Sequence, residues 1–467
     1  MRTLIRGGTL VSAEGAAPAD VLVEGEIVAA IAAPGSGLAD VWQEGADTVV
    51  DARGRYVIPG GIAVHTHMEM PYGGTLSSDT FETGTRAAAW GGTTMIIDFA
   101  IQSKGESLAA GMDTWREKSD GLCAIDYSLH AIITDVNESS LKEMDALVAE
   151  GVTSFKLFMA YPGVLYSTDK DIYRAMDRAA GNGALIMMHA ENGIAIDAIV
   201  ENALARGQTD PIFHGLTRPA ELEGEAAARA IRLAQVAKAP LYIVHLSSEE
   251  ALAAVVEARS RGQNTFAETC PQYLFLSQDD MARPGFEGAK FVCTPPLRPS
   301  EHHAVLWRGL RTDQLSVVST DHCPFCYAEQ KELGIGDFTK IPNGLPGVET
   351  RMDLIYQGVV AGQISLPRWV EITSTTPARM FGLYPKKGII APGSDADIVV
   401  YDPSATQVIS ASTHHMAVDY SCYEGMQITG RVERVYSRGR AIIEGGAYLG
   451  SAGHGRFVPR ALCQALQ

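Results

Sequence analysis

The 467-residue chain is 46% hydrophobic with a mean hydropathy near zero, so it can bury a large core and is too long for one small domain. Its formal charge of −17 comes from dispersed acids rather than a tail, which argues against a nucleic-acid or anionic-membrane partner. No apolar stretch approaches the roughly 20 residues of a membrane helix, the start MRTLIRGGTLVS lacks a long apolar h-region, and a cytoplasmic location is expected. Seven cysteines spread from Cys123 to Cys463 do not resemble a disulfide framework and are expected as reduced thiols.

Residues 1–55 (TLIRGGTLVS, DVLVEGEIVAAI, TVVDARG) read as short strands separated by Gly, Pro and Asp turns. From about residue 56 the pattern changes to short β-branched runs alternating with longer amphipathic stretches, as expected of βα units. Eight strands are predicted: 56–64, 93–100, 125–133, 154–160, 185–190, 241–246, 264–269 and 315–320. Eight is the number that closes a (β/α)8 TIM-like barrel.

Between them, 169–180 and 218–237 have apolar residues at helical spacing. Ser247 and Glu250 stand at capping-box spacing before ALAAVVEAR. Residues 388–447 again read as short strands, and both flanks are expected to share a β-sandwich, since a shared sheet leaves neither flank with an unpaired edge. The expected division is thus 1–55 plus 381–450 for the β-sandwich and 56–380 for the barrel, with 451–467 a tail, disordered or packed on a neighbouring subunit.

His65 and His67, separated only by Thr66, are the most informative residues. In a strand, residues i and i+2 share a face, so two imidazoles can reach one metal ion. On the strand map several further ionisable residues fall in or at the ends of different strands: Lys156 in the fourth, then His189, His245 and Asp321 at the ends of the fifth, sixth and eighth. Burying so many polar groups at one barrel mouth costs free energy unless they are paired or metal-bound. His130, His214, His302, His303, His414 and His415 read as structural or solvated. Cys323 and Cys326 form a single Cys-x-x-Cys and read as incidental thiols.

Lys156, flanked by Phe155, Leu157 and Phe158, is a position where desolvation disfavours an ammonium. A neutral amine there can take up carbon dioxide as a metal-bridging carbamate; a lysine that snorkels or pairs with Asp321 fits the spacing equally well.

The stretches PGGIAVHTHMEMPYGGT, VTSFKLFMAYPG, MMHAEN, VHLSS, AETCPQYLFL, TPPLR, STDHCPF, KIPNGLPGVETR and PGSDADIVVYDP resemble the dihydropyrimidinase and hydantoinase group of cyclic amidohydrolases across nearly the whole chain. The resemblance implies two zinc ions, one on His65, His67 and Asp321 and the other on His189 and His245, bridged by carboxylated Lys156. It implies that Asp321 also moves the proton, that Tyr161 donates its phenol to the substrate carbonyl, and that Thr294 and Asn343 hold a small cyclic imide through backbone groups. It also suggests a homotetramer. Relatives acting on dihydroorotate carry an arginine where this chain has Glu69, which would repel a carboxylate. Met70, Tyr72, Phe158 and Leu165 are candidates for an apolar wall around a ring substituent, or simply pack the rim. The expected reaction is opening of 5,6-dihydropyrimidines or 5-substituted hydantoins to N-carbamoyl amino acids. An allantoinase-type enzyme is the alternative, and a non-catalytic scaffold would have to keep every ligand position without using it.

Overall fold

The computed structural model describes residues 1–466 of the chain. Eight parallel strands, β1 (Gly61–Thr66), β2 (Thr93–Ile101), β3 (Asp126–Ile132), β4 (Ser154–Phe158), β5 (Leu185–His189), β6 (Leu241–Ile243), β7 (Thr265–Thr269) and β8 (Val317–Val318), pair in chain order. A parallel bridge between Thr66 and His322 brings the two edges together, so the sheet meets itself as a TIM-like barrel. The strands are buried on both faces, as a parallel sheet covered by helices requires. Inside, Ile62, Val64, Met95, Ile97, Met187 and Phe266 form one apolar cluster with Phe381 and Val458. The interior is therefore filled, and the polar residues collect at the C-terminal ends of the strands.

The run expected as a single first strand is two. Tyr56–Pro59 pairs antiparallel with Ile398–Val408 and parallel with Arg2–Ser12, whereas Gly61–Thr66 pairs with β2. Gly60 marks the passage between the sheets: a Cβ there would meet the Thr94 side chain at 2.0 Å. Both flanks join in one hydrogen-bonded sheet of nine strands that includes Tyr56–Pro59.

The helices expected over 169–180 and 218–237 run over Asp169–Asn182 and Ala220–Ala237. The cap of the helix Glu249–Ser260 is Ser248, which accepts the amide of Ala251. Ser247 instead donates its hydroxyl to Glu223 at 2.7 Å and accepts from Arg298 at 3.0 Å. A buried carboxylate outcompeted the local cap.

The terminal segment lies against its own barrel. Gly455, Val458 and Arg460 donate their amides to Cys123, Tyr127 and Gly151, and Arg460 sends its buried guanidinium to Ser128 Oγ at 2.9 Å and the Leu129 carbonyl at 2.7 Å. Among the described residues no helix is long and apolar enough to cross a membrane.

Candidate metal centre and active site

His65 closes β1 and His67 follows it, both pointing into the barrel mouth, while Thr66 between them turns away and donates to Asp98 at 2.7 Å. Asp98, fully buried within β2, also accepts the amides of Met68 and Phe99 and the indole of Trp115. Burial pushes its carboxyl up to about 6 despite these bonds. It pins the turn that carries His67.

From the other edge, the amide of His67 donates to the carbonyl of His322 at 2.8 Å, and Thr320 Oγ1 donates to the His65 carbonyl at 2.9 Å. His322 is oriented in turn by Asp79 at 3.1 Å on Nε2, and its Nδ1 accepts the amides of Gly347 and Val348.

Asp321, next to this bridge, places Oδ1 3.1 Å from His65 Nε2 and 3.3 Å from His67 Nε2. Burial works against its charge, but His65 and His67 outweigh that and hold its carboxyl well below the usual range. Lys156 from β4 sits 3.0 Å from His65 Nε2, 1% exposed, over the rings of Phe99 and Phe158. Burial pulls its pKa down to about 8. His189 and His245 complete the group, with ring centroids 4.6 Å apart.

Two glutamates behind the histidines decide which ring nitrogen faces the site. Glu268, on β7, accepts from His65 Nδ1, from the His245 amide at 3.2 Å and from the Tyr242 hydroxyl at 2.9 Å. Glu191 accepts from His189 Nε2 at 2.7 Å. A carboxylate can only accept, so His65 Nδ1 and His189 Nε2 carry hydrogen, leaving His65 Nε2 and His189 Nδ1 as the nitrogens available to a metal.

The donor set fits divalent metal. Ligand atoms of His65, His245 and Asp321 lie within 4.8 Å of one another, and nitrogen and oxygen donors of this kind suit zinc. Buried Nδ1 atoms of His67 and His245 have no protein partner. Burial and Lys156 work against charge on His65, but Glu268 and Asp321 outweigh them and raise its pKa, so the surroundings of this imidazole favour positive charge at the site.

The cleft above is lined by His67, Met70, Tyr72, Lys156, Phe158, Tyr161, Leu165, His189, His245, Thr294, Asp321 and Asn343, with His65 buried beneath it. Every residue named from the sequence as a metal, catalytic or substrate candidate thus lines this cleft or lies beneath it. Tyr161, His245 and Asp321 hold φ of 61°, 38° and 51°, left-handed conformations whose cost the surrounding structure must bear and which cluster at functional sites. Burial raises the pKa of the Tyr161 phenol well above the ordinary value, and Thr294 Oγ1 lies 3.2 Å from His214 Nε2. Asn343 Nδ2 donates to the Tyr72 hydroxyl at 2.9 Å. Beside Tyr72 and Tyr161 the cleft opens into a vestibule of about 980 Å³, edged by Val164, Leu333 and Ile341.

Glu268, Glu191 and Gly344 were not singled out from the sequence, and Cys323, read there as an incidental thiol, lines the cleft. Glu268 and Glu191 stand in AETCPQY and MMHAEN, and the available signal was an acid inside or just beyond an apolar strand. Of the other histidines, His130 is structural, bonded to Val64 and Ser154 inside the barrel, and His214 is buried behind Thr294. Cys323 and Cys326 are free thiols.

A filled parallel barrel with imidazoles, a carboxylate and a lysine at its C-terminal mouth is the arrangement of a hydrolase of the amidohydrolase type, with candidate metal ligands at its site. Residues 56–442 match the Amidohydrolase family. The chain is 66% identical to a D-hydantoinase of Streptomyces coelicolor over 100% of its own length and 99% of that protein. The crystal structure of dihydropyrimidinase from Brevibacillus agri superposes with a TM-score of 0.96 at 49% identity, covering 99% of each chain. L-Hydantoinase from Arthrobacter aurescens gives 0.88 at 31%, covering 98% of this chain and 99% of that one. The chain belongs to the amidohydrolase family and, within it, to the group of D-hydantoinases and dihydropyrimidinases.

Proposed function

We propose that this protein is a binuclear zinc hydrolase that opens the ring of 5-substituted hydantoins, with the D enantiomer preferred, to N-carbamoyl amino acids, and that dihydropyrimidines are slower substrates. The observation that carries the metal site is the pair of carboxylate–histidine contacts, Glu268 to His65 and Glu191 to His189, which turn ligand nitrogens toward one point. His65, His67 and Asp321 would hold one ion, His189 and His245 the other, and carboxylated Lys156 would join them. Such ions supply a water acidic enough to react at neutral pH and polarise the bond under attack.

Ring opening adds water across the amide: the carbonyl carbon gains oxygen, the C–N bond breaks, and the ring nitrogen gains a proton. Asp321, ionised at neutral pH and at the centre of the histidines, takes the proton from water and returns it to the departing nitrogen. Tyr161 stays a phenol across the working pH range and donates to the oxygen that becomes negative. Backbone groups of Thr294 and Asn343 hold the amide edge of the ring.

Substituent size supports hydantoins over dihydrouracil. The vestibule of about 980 Å³ beyond Tyr72 and Tyr161 has an apolar lining that an unsubstituted ring leaves unused. The D preference is supported by the 66% identity to a protein named D-hydantoinase.

A panel of D- and L-5-phenylhydantoin, hydantoin, 5,6-dihydrouracil, allantoin and dihydroorotate, offered to zinc-loaded enzyme, tests the reading. The highest kcat/KM is expected on the D-phenyl compound and none on dihydroorotate. Turnover of allantoin alone would replace the substrate class.

A further inference from the structure

Lys331 opens a short turn, Lys331–Gly334, in the long loop after β8, and it is 0% exposed. Among the described residues no carboxylate pairs with it. Its ammonium donates to three backbone carbonyls instead: Val292 at 3.0 Å, Pro342 at 2.6 Å and Gly344 at 2.9 Å. Three donors thus meet three acceptors, which answers the hydrogen-bonding need of the buried cation but not the cost of bringing it in. An apolar side chain would fill the space more cheaply if packing were the only requirement.

The three carbonyls belong to the two stretches of chain that reach the cleft. Pro342 and Gly344 flank Asn343 on either side, and Val292 lies two residues before Thr294; Asn343 and Thr294 both line the cleft. The Gly344 amide also donates to the Val292 carbonyl at 3.1 Å, so the stretches are tied directly as well as through the ammonium. Neither Thr294 nor Asn343 lies in a helix or a strand, so no ladder sets the direction of its peptide groups. Gly344, at φ 150°, runs so close to the loop after β8 that a Cβ would lie 2.1 Å from the Cys323 carbonyl, which leaves this segment little room to re-form elsewhere.

A peptide group is planar, with its carbonyl and the following N–H pointing in opposite directions. Holding the Pro342 carbonyl on Lys331 therefore fixes where the Asn343 N–H points.

We propose that Lys331 is a positioning residue for substrate: its ammonium clamps the 292–294 and 342–344 stretches together and aims the backbone groups that hold the ring. This rests on the assignment of Thr294 and Asn343 to the ring's amide edge made above.

Lys331→Met and Lys331→Arg, zinc-loaded, test it with D-5-phenylhydantoin as substrate. Lys331→Met is expected to raise KM about tenfold or more with kcat within about threefold and metal content unchanged. Lys331→Arg keeps the charge, but its flat fork cannot meet three converging carbonyls; it is expected to fold and raise KM by a smaller factor, which keeps the test open should the methionine variant not fold. Lys387→Met, which removes a buried lysine from a remote carboxylate cluster, serves as a control that loses stability without moving KM. Unchanged KM in a Lys331 variant whose melting temperature has fallen would overturn the proposal. Amide hydrogen exchange followed by mass spectrometry reads the clamp without any substrate: faster exchange at 292–295 and 341–346 is expected in both variants. Unchanged exchange there overturns the clamp, whereas a wild-type enzyme inactive on every ring overturns the substrate reading alone.

Discussion

Glu191 accepts the Nε2–H of His189 at 2.7 Å from only two residues along the chain. Burial works against charge on this glutamate, but the hydrogen bond from His189 outweighs it and holds the carboxyl below its usual range. Being ionised, it fixes one tautomer of His189 and leaves Nδ1 for the metal.

Glu191→Leu should therefore weaken metal binding by about 10–100-fold, the usual effect of removing a carboxylate behind a ligating histidine. Competition against a zinc-binding dye measures it. Wild-type affinity in a folded variant would mean that His189 is not a ligand.

Lys156 has a folded pKa of about 8 against 10.5 when unperturbed. Because the folded value is the lower one, the unfolded chain binds the extra proton between those limits, and the metal-free protein gains stability as pH rises from about 8 to 10.5, on the order of 3 kcal/mol at most. Urea unfolding of metal-free wild type against Lys156→Met should show this gain in the difference between the two. At fixed dissolved carbon dioxide, carbamate formation on the metal-free protein should climb below that window, from pH 7 to pH 8, as the amine goes from about one-tenth neutral to about half. Carbon-13 NMR of the labelled carbamate follows it. A signal that survives in Lys156→Met would assign the carbamate to another amine.

Tyr161→Phe should lower kcat by about 10²–10³-fold, the cost of one lost donor to a developing oxyanion, while metal content stays at the wild-type level. Because the phenol titrates far above neutrality, the wild-type rate should show no falling limb from it below pH 10. Loss of metal in the phenylalanine variant would point to a structural role.

Arg460→Met removes the bonds to Ser128 and Leu129 that hold the terminal segment under the barrel. A loss of about 1–3 kcal/mol is expected from denaturant unfolding, with KM unmoved because the segment lies at the end of the barrel away from the cleft. A change in KM would show that the floor of the barrel communicates with its mouth.

Much of this was legible in the sequence for a local reason: a ligand at the end of an apolar strand carries its own context. His65, His189 and Asp321 each close or follow a β-branched run, so the order of strands around the barrel was enough to bring them together. The first strand was misjudged because the apolar runs on either side of Pro59, Gly60 and Gly61 were read as one, although these three residues mark the break at which the chain leaves one sheet and enters another. Ser247 was misjudged because a capping box is a local pattern, and Glu223, 24 residues away, is not. Glu268 and Lys331 were passed over for the same reason, since an acid in a strand or a lysine in a loop shows its purpose only once the groups it holds are folded around it.

The most direct measurement is a zinc titration of metal-free enzyme with and without bicarbonate, read as D-5-phenylhydantoin turnover. The account predicts that activity climbs to a plateau at two zinc ions per chain, that bicarbonate is needed to reach it, and that Lys156→Ala stays inactive until a short carboxylic acid is added. Full activity with one ion, or in Lys156→Ala without any added acid, would contradict it.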